Sequence, residues 1–202
     1  MSTLIYERDV TLQPSDLEGR VTLSRPATRP RSSGVHVSGI LQAIAIEVGW
    51  LKPGERDEDN EDEYPMRWAL GVMWEEFWFS MRPTALWQPG EATKDGISGN
   101  CDGITEWDRE AGGSVIEETK CTELKIRSWE ELEQDKKMWV HQLRAYCYLY
   151  GIDTTRLVAN YYRGDWRGSG PLVREYLVKW TEKEINDTWR MLLKWRDKAV
   201  PE

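Results

Sequence analysis

Three side chains in this 202-residue chain have the types and the spacing of a hydrolytic metal site. The run Val115-Ile116-Glu117-Glu118-Thr119-Lys120 is β-rich, and on a strand alternate side chains share a face. Glu118 and Lys120 therefore point one way and Thr119 the other. Upstream, Gly99-Asn100-Cys101-Asp102-Gly103-Ile104 places Asp102 on the neighbouring strand of a hairpin. Two carboxylates and one backbone carbonyl make a hard oxygen site suited to Mg2+ or Mn2+. A lysine beside such an ion can orient an attacking water while the ion lowers that water's pKa and neutralises charge on a phosphorane-like transition state. By itself, Asp followed by Glu-x-Lys is an ordinary ion-pair pattern of exposed strand faces. What sets this instance apart is Gln142 and Tyr146, four apart and so on one face of the helix that follows.

Taken in order, Gly99-x-x-Asp102-Gly103, Glu118-x-Lys120 and Gln142-x-x-x-Tyr146 resemble the PD-(D/E)XK nuclease superfamily, specifically its RecB-like and phage (lambda-type) exonuclease branch, over residues 34–162. In that branch a glycine followed four positions later by His or Glu lies on a helix upstream of the aspartate. Gly71-Val72-Met73-Trp74-Glu75 has this form, with the Glu of the phage-exonuclease members, and Val37-Ser38-Gly39-Ile40 resembles the Ser-containing helix start near the front of such domains. The resemblance implies a restriction-endonuclease-like α/β core. It implies Asp102, Glu118 and the Thr119 carbonyl as metal ligands, Glu75 as an outer or second-metal ligand, and Lys120 as the residue that orients the water. Gln142 and Tyr146 would face the bound strand and hold Lys120 or a phosphate.

The activity so implied is that of a magnesium- or manganese-dependent deoxyribonuclease. Foremost is an exonuclease of DNA recombination or repair, of a kind that phages encode, with DNA as partner and a second copy or a recombination protein as further candidates. A structure-specific or restriction-like endonuclease stays open within the same chemistry. Outside it stays a catalytically inactive nucleic-acid-binding or assembly module, which would be expected to have lost one of Asp102, Glu118 or Lys120. Removing one of two like-charged buried carboxylates should abolish cleavage and raise stability by relieving repulsion. Two departures from relatives are plain. Cys101, Cys121 and Cys147 are isolated and form no iron–sulfur ligand cluster, and no GxxxxGK[ST] motif supplies an ATP-driven motor.

Other polar residues have plainer assignments. His36, near a helix start, is read as a hydrogen-bonded or phosphate-contacting residue, with metal ligation as the alternative. His141 faces about 100 degrees away from Gln142 on a helix and is read as structural. Glu117 should point to the face opposite Glu118. Lys136, Lys137 and Arg144 could guide nucleic acid or simply form a solvated helix face.

Positioning these residues takes one domain, residues 34–202, preceded by an irregular arm over 1–33 carrying Arg25, Arg29 and Arg31. Helices are expected from a Ser33 or Ser38 cap to Gly49, over 65–81, over 129–150 ending at Gly151, and from the capping box Thr181-Glu182-Lys183-Glu184 to about 198. Strands are expected over 97–107 and 114–121, joined by the turn at 110–113, and over 156–162 and 172–180. That order gives an α/β fold, a small mixed sheet flanked by helices. The acidic loop 54–64 holds much of the excess behind a net charge of −8, which therefore leaves room for a local basic surface. Twelve Trp against two Phe could mean base-stacking platforms, but the spacings of Trp68, Trp74 and Trp78 and of Trp189 and Trp195 favour packing. No apolar run reaches the roughly 20 residues of a membrane span and no signal segment follows Met1, so a cytoplasmic protein with reduced thiols and no membrane contact is expected.

Overall fold

The computed structural model describes residues 2–10, 34–51, 65–82, 85–122, 128–162 and 172–198. In chain order the elements are β1 (Thr3–Val10), β2 (Val35–His36), α1 (Val37–Glu47), α2 (Pro65–Ser80), β3 (Ala85–Trp87), β4 (Ala92–Lys94), β5 (Ile97–Gly99), β6 (Gly103–Asp108), β7 (Gly113–Thr122), α3 (Trp129–Asp135), α4 (Lys137–Tyr150), β8 (Thr154–Tyr161), β9 (Leu172–Lys179) and α5 (Glu182–Arg196). They build the expected mixed α/β fold. A six-stranded sheet runs β1-β9-β8-β7-β6-β3, and a smaller one runs β2-β5-β4. In the large sheet only β7 and β8 are parallel, because α3 and α4 carry the chain back between them; its other neighbours are antiparallel.

The register of β7 against β8 divides the sheet into two chemically different faces. Glu118 pairs with Leu157 and Lys120 with Ala159, whereas Glu117 pairs with Arg156 and Thr119 with Val158. The first face joins Ile116, Leu157, Ala159, Tyr176 and Val178 to apolar stripes of α1, α4 and α5, among them Ile40, Leu41, Ile44, Leu143, Tyr146 and Leu192. On the second, Val158 and Val173 meet Trp74, Phe77, Trp78 and Phe79 of α2. Trp74, Trp78 and Trp189 are all buried, as their spacing suggests. Among the described residues no helix is long and apolar enough to cross a membrane.

Several boundaries differ from expectation, each for a local reason. Residues 3–10 are not irregular: they form β1, which pairs with β9 and is held by Arg174 to Asp9 (2.6 Å) and Glu7 (2.9 Å). The rest of the arm, with Arg25, Arg29 and Arg31, and the acidic loop 54–64 lie outside the described residues. The strand expected over 97–107 is two strands in two sheets, parted at residues 100–102. The helix expected over 129–150 breaks at Lys136 (φ −117°, ψ 49°), which lets α3 turn Trp129 onto Tyr176 and Trp180 while α4 covers the first face. α1 starts at Val37 after an extended His36, with Ser38 already inside the helix rather than capping it. The Thr181–Glu184 capping box and the left-handed Gly151 cap form as expected.

The second face holds a buried charge network directly behind Glu118. Arg156 donates to Glu117 (2.7 Å), to Asp108 and to the Tyr6 hydroxyl (3.2 Å). Glu117, fully buried, also accepts from Thr105 (2.6 Å) and lies 3.1 Å from Arg82. Neighbouring Glu175 takes Arg8 (2.8 Å) and Tyr6 (3.1 Å). Buried pairs of this kind add little net stability when complete, and breaking one by removing a partner leaves a charge in low dielectric. Arg156→Met is expected to lower the unfolding free energy by about 3 kcal/mol, read as a fall in urea midpoint. Lys183→Met, at the exposed pair with Asp187, should leave the midpoint where it is.

Candidate active site

The site lies where β6 parts from β7. Pairing between them stops at Gly103 opposite Glu117, so the next inward N–H of β7, that of Thr119, has no strand partner on that side. The Asp102 carboxylate supplies one: a single oxygen, Oδ2, accepts from Thr119 N (2.8 Å) and from Thr119 Oγ1 (2.9 Å). Asp102 is 9% exposed and Glu118 3%. Glu118 Oε1 stands 3.0 Å from Lys120 Nζ, so the two side chains that share a strand face form a direct ion pair.

Glycines allow the close approach that builds the site. A Cβ on Gly99 would stand 2.6 Å from Leu149 Cδ1 and 3.0 Å from Tyr146 Cε1, so α4 rests almost on the backbone just before Asp102. A Cβ on Gly103 would stand 2.3 Å from the Phe79 ring, so α2 does the same from the other side. Gln88, in left-handed conformation (φ 52°), donates its N–H to the Asp102 carbonyl at 2.9 Å.

Gln142 and Tyr146 close the floor. Gln142 Nε2 donates to the Tyr146 hydroxyl at 2.8 Å. Burial, followed by the negative charge of Glu118 and more weakly that of Asp102, pushes this hydroxyl well above the ordinary tyrosine range. Tyr146 thus lies in the field of both carboxylates. Asp102, Glu118, Lys120, Gln142 and Tyr146, far apart in sequence, are brought together. Thr119 joins them by its N–H and hydroxyl, an arrangement that strand alternation concealed because Asp102 sits beyond the end of pairing.

Glu75 is placed differently. It lies on α2, which covers the second face, one helical turn before the Phe79 that touches Gly103. Among the described residues no group of three or more His, Cys, Asp or Glu side chains is gathered as a metal site, so Glu75 is not assembled with Asp102 and Glu118. The remaining donors fit a hard divalent ion: Asp102 and Glu118 are buried carboxylates, Glu118 is paired with the Lys120 ammonium, and the negative charge of both carboxylates reaches Tyr146.

The other candidates have structural partners. His36 Nδ1 lies 3.6 Å from Glu91. His141 stacks on Trp50 (5.3 Å) and bonds Thr188 Oγ1 (3.0 Å). Arg144 lies over Trp180 and beside Glu184 (3.4 Å), while Lys136 and Lys137 lie over Trp139 and Trp50. The cysteines are free thiols, Cys101 and Cys147 buried.

No family model and no curated protein sequence matches this chain. Among solved structures, the crystal structure of SSO0001 is similar, with a TM-score of 0.50 and 18% identity over 82% of this chain and 78% of that one. That likeness shows the mixed α/β fold alone.

Two measurements follow from this geometry. Asp102→Ala deprives the Thr119 N–H and hydroxyl of their acceptor, so instead of the gain expected from relieved repulsion it should cost about 1–3 kcal/mol in chemical denaturation, with Asp102→Asn milder. Burial, aided by Arg144 and Lys137, lowers the pKa of His141 from 6.5 to about 4. Below pH 6.5 the unfolded chain takes up a proton that the folded chain refuses until about pH 4, so stability falls across that window, by about 2 kcal/mol between pH 7 and pH 5. Urea curves at the two pH values should show this loss, and His141→Gln should remove it.

Proposed function

We propose that the chain is a metal-dependent deoxyribonuclease of the PD-(D/E)XK kind, hydrolysing DNA phosphodiesters with Mg2+ or Mn2+. The observation that carries this reading is the convergence of Asp102, Glu118 and Lys120 at the parting of β6 and β7, with Tyr146 in the field of both carboxylates. Asp102 and Glu118, with the Thr119 carbonyl between them in the chain, are the residues that would hold the ion. When bound, the ion supplies charge neutralisation at the scissile phosphate and acidifies a water.

The protein's own groups do the rest. Lys120, oriented by Glu118, donates to the attacking water and holds it in line with the leaving oxygen. The water releases one proton to solvent as its oxygen bonds to phosphorus, the bond to the leaving sugar oxygen breaks, and that oxygen takes up a proton from solvent. Gln142 and Tyr146, bonded to each other at 2.8 Å, would face the bound strand and hold Lys120 or a phosphate, as the resemblance implies. Digestion from ends, as an exonuclease of recombination or repair, is the form of the activity we favour, on the resemblance of the Asp102, Glu118-x-Lys120 and Gln142-x-x-x-Tyr146 order to the RecB-like and phage-exonuclease branch.

The test is incubation with end-labelled linear duplex, single-stranded and closed circular DNA, each with Mg2+, Mn2+ or EDTA, beside Lys120→Ala. Metal-dependent shortening of linear DNA, reduced at least about 100-fold in Lys120→Ala, is the expected result. Cutting of the closed circle would make it an endonuclease. DNA binding without cleavage under either metal would leave a binding module and sink the proposal.

A further inference from the structure

The residues Gln142 and Tyr146 are followed, four positions later on the same face of α4, by Tyr150, whose hydroxyl reaches past the floor of the site. Tyr150 Oη donates to the Gly90 carbonyl at 2.6 Å and accepts the N–H of Cys101 at 3.4 Å, with the Gly99 carbonyl also at 3.4 Å. A phenol has one proton, so the short bond to Gly90 takes it and leaves the oxygen lone pair for Cys101. With its carboxamide nitrogen turned inward, Asn100 donates to Gly90 O (3.0 Å) and Cys101 O (3.2 Å), and Gln88 N–H holds Asp102 O (2.9 Å). Residues 100–102 belong to no strand, lying between β5 in one sheet and β6 in the other. Their path is therefore held by bonds of this kind rather than by a ladder, and the Asp102 carboxylate at its end is received by Thr119 N–H (2.8 Å) and Oγ1 (2.9 Å).

We propose that Tyr150 is a positioning residue for Asp102: by bridging Gly90 and Cys101 its hydroxyl holds the crossing segment at the angle from which the Asp102 carboxylate reaches Thr119, the residue between Glu118 and Lys120. This rests on the metal-site reading of Asp102 and Glu118 above. Tyr150 touches neither substrate nor reacting atoms, and acts through the Cys101 peptide.

The test is Mn2+ titration of the full chain by calorimetry for wild type, Tyr150→Phe and Tyr161→Phe, with thermal unfolding recorded for each. Tyr161→Phe is the comparison because it loses a buried hydroxyl, bonded to Tyr176 at 3.1 Å, within the core. Wild type and Tyr161→Phe should bind Mn2+ alike, and Tyr150→Phe about tenfold more weakly, with cleavage lost at limiting Mn2+ and regained at saturation. Asn100→Ala, which loosens the same segment from another point, should weaken binding in the same direction and stands in if Tyr150→Phe does not fold. If Tyr150→Phe lowers the melting temperature but binds Mn2+ as wild type does, the hydroxyl is merely structural and the proposal is overturned while the metal site stands. If wild type binds no Mn2+, the metal-site reading falls and takes the proposal with it.

Discussion

A single N–H governs the geometry of this molecule. Where β6 turns away from β7, the amide of Thr119 would face inward without a partner, a cost comparable to a lost hydrogen bond in a buried setting. Asp102 meets it with one carboxylate oxygen, and Thr119 adds its own hydroxyl to the same atom. The bond that satisfies the sheet is thus the bond that aims the aspartate. Fold and site share an interaction, so a carboxylate that left its place would take from the Thr119 N–H and hydroxyl their acceptor where the strands part.

The two faces of β7 divide the labour by charge balance. Behind the strand, Glu117, Glu175 and Asp108 are met by Arg156, Arg82 and Arg8, so that side is close to neutral and fully engaged. In front, Glu118 has Lys120 at 3.0 Å, and the negative charge of Glu118 and Asp102 is felt by Tyr146. A strand carrying adjacent glutamates on opposite faces can do both only if its register is firm. The paired network supplies that firmness, since a slip by one residue would exchange Glu117, engaged by Arg156, for Glu118 of the candidate site.

The short-range content of the sequence was legible. Alternation placed Glu118 and Lys120 on one face and Glu117 on the other, helical spacing placed Gln142 beside Tyr146, and the Thr181–Glu184 box marked the start of the last helix. What escaped was decided by partners distant in sequence. β1 is a strand because Arg174 and Glu175, more than 160 residues away, meet Glu7, Asp9 and Arg8. The breaks at residues 100–102 and at Lys136 exist because consecutive stretches must face different walls of the core, which local propensity does not encode. Glu75 shows the limit of carrying a motif over: its spacing matches, yet its helix covers the other face of the sheet from Glu118.

The pairing of β1 with β9 also imposes an order of assembly. Among the described residues β1 pairs as a strand with β9 alone, so during synthesis it has no strand partner there until residues 172–179 have emerged. By then β6, β7, α3, α4 and β8 are all available, including every residue of the candidate site. The site can therefore take shape in a nascent chain whose sheet still has β8 as an open edge. Closing it is a late, long-range event of the kind that slows folding and leaves an edge free to pair with another chain.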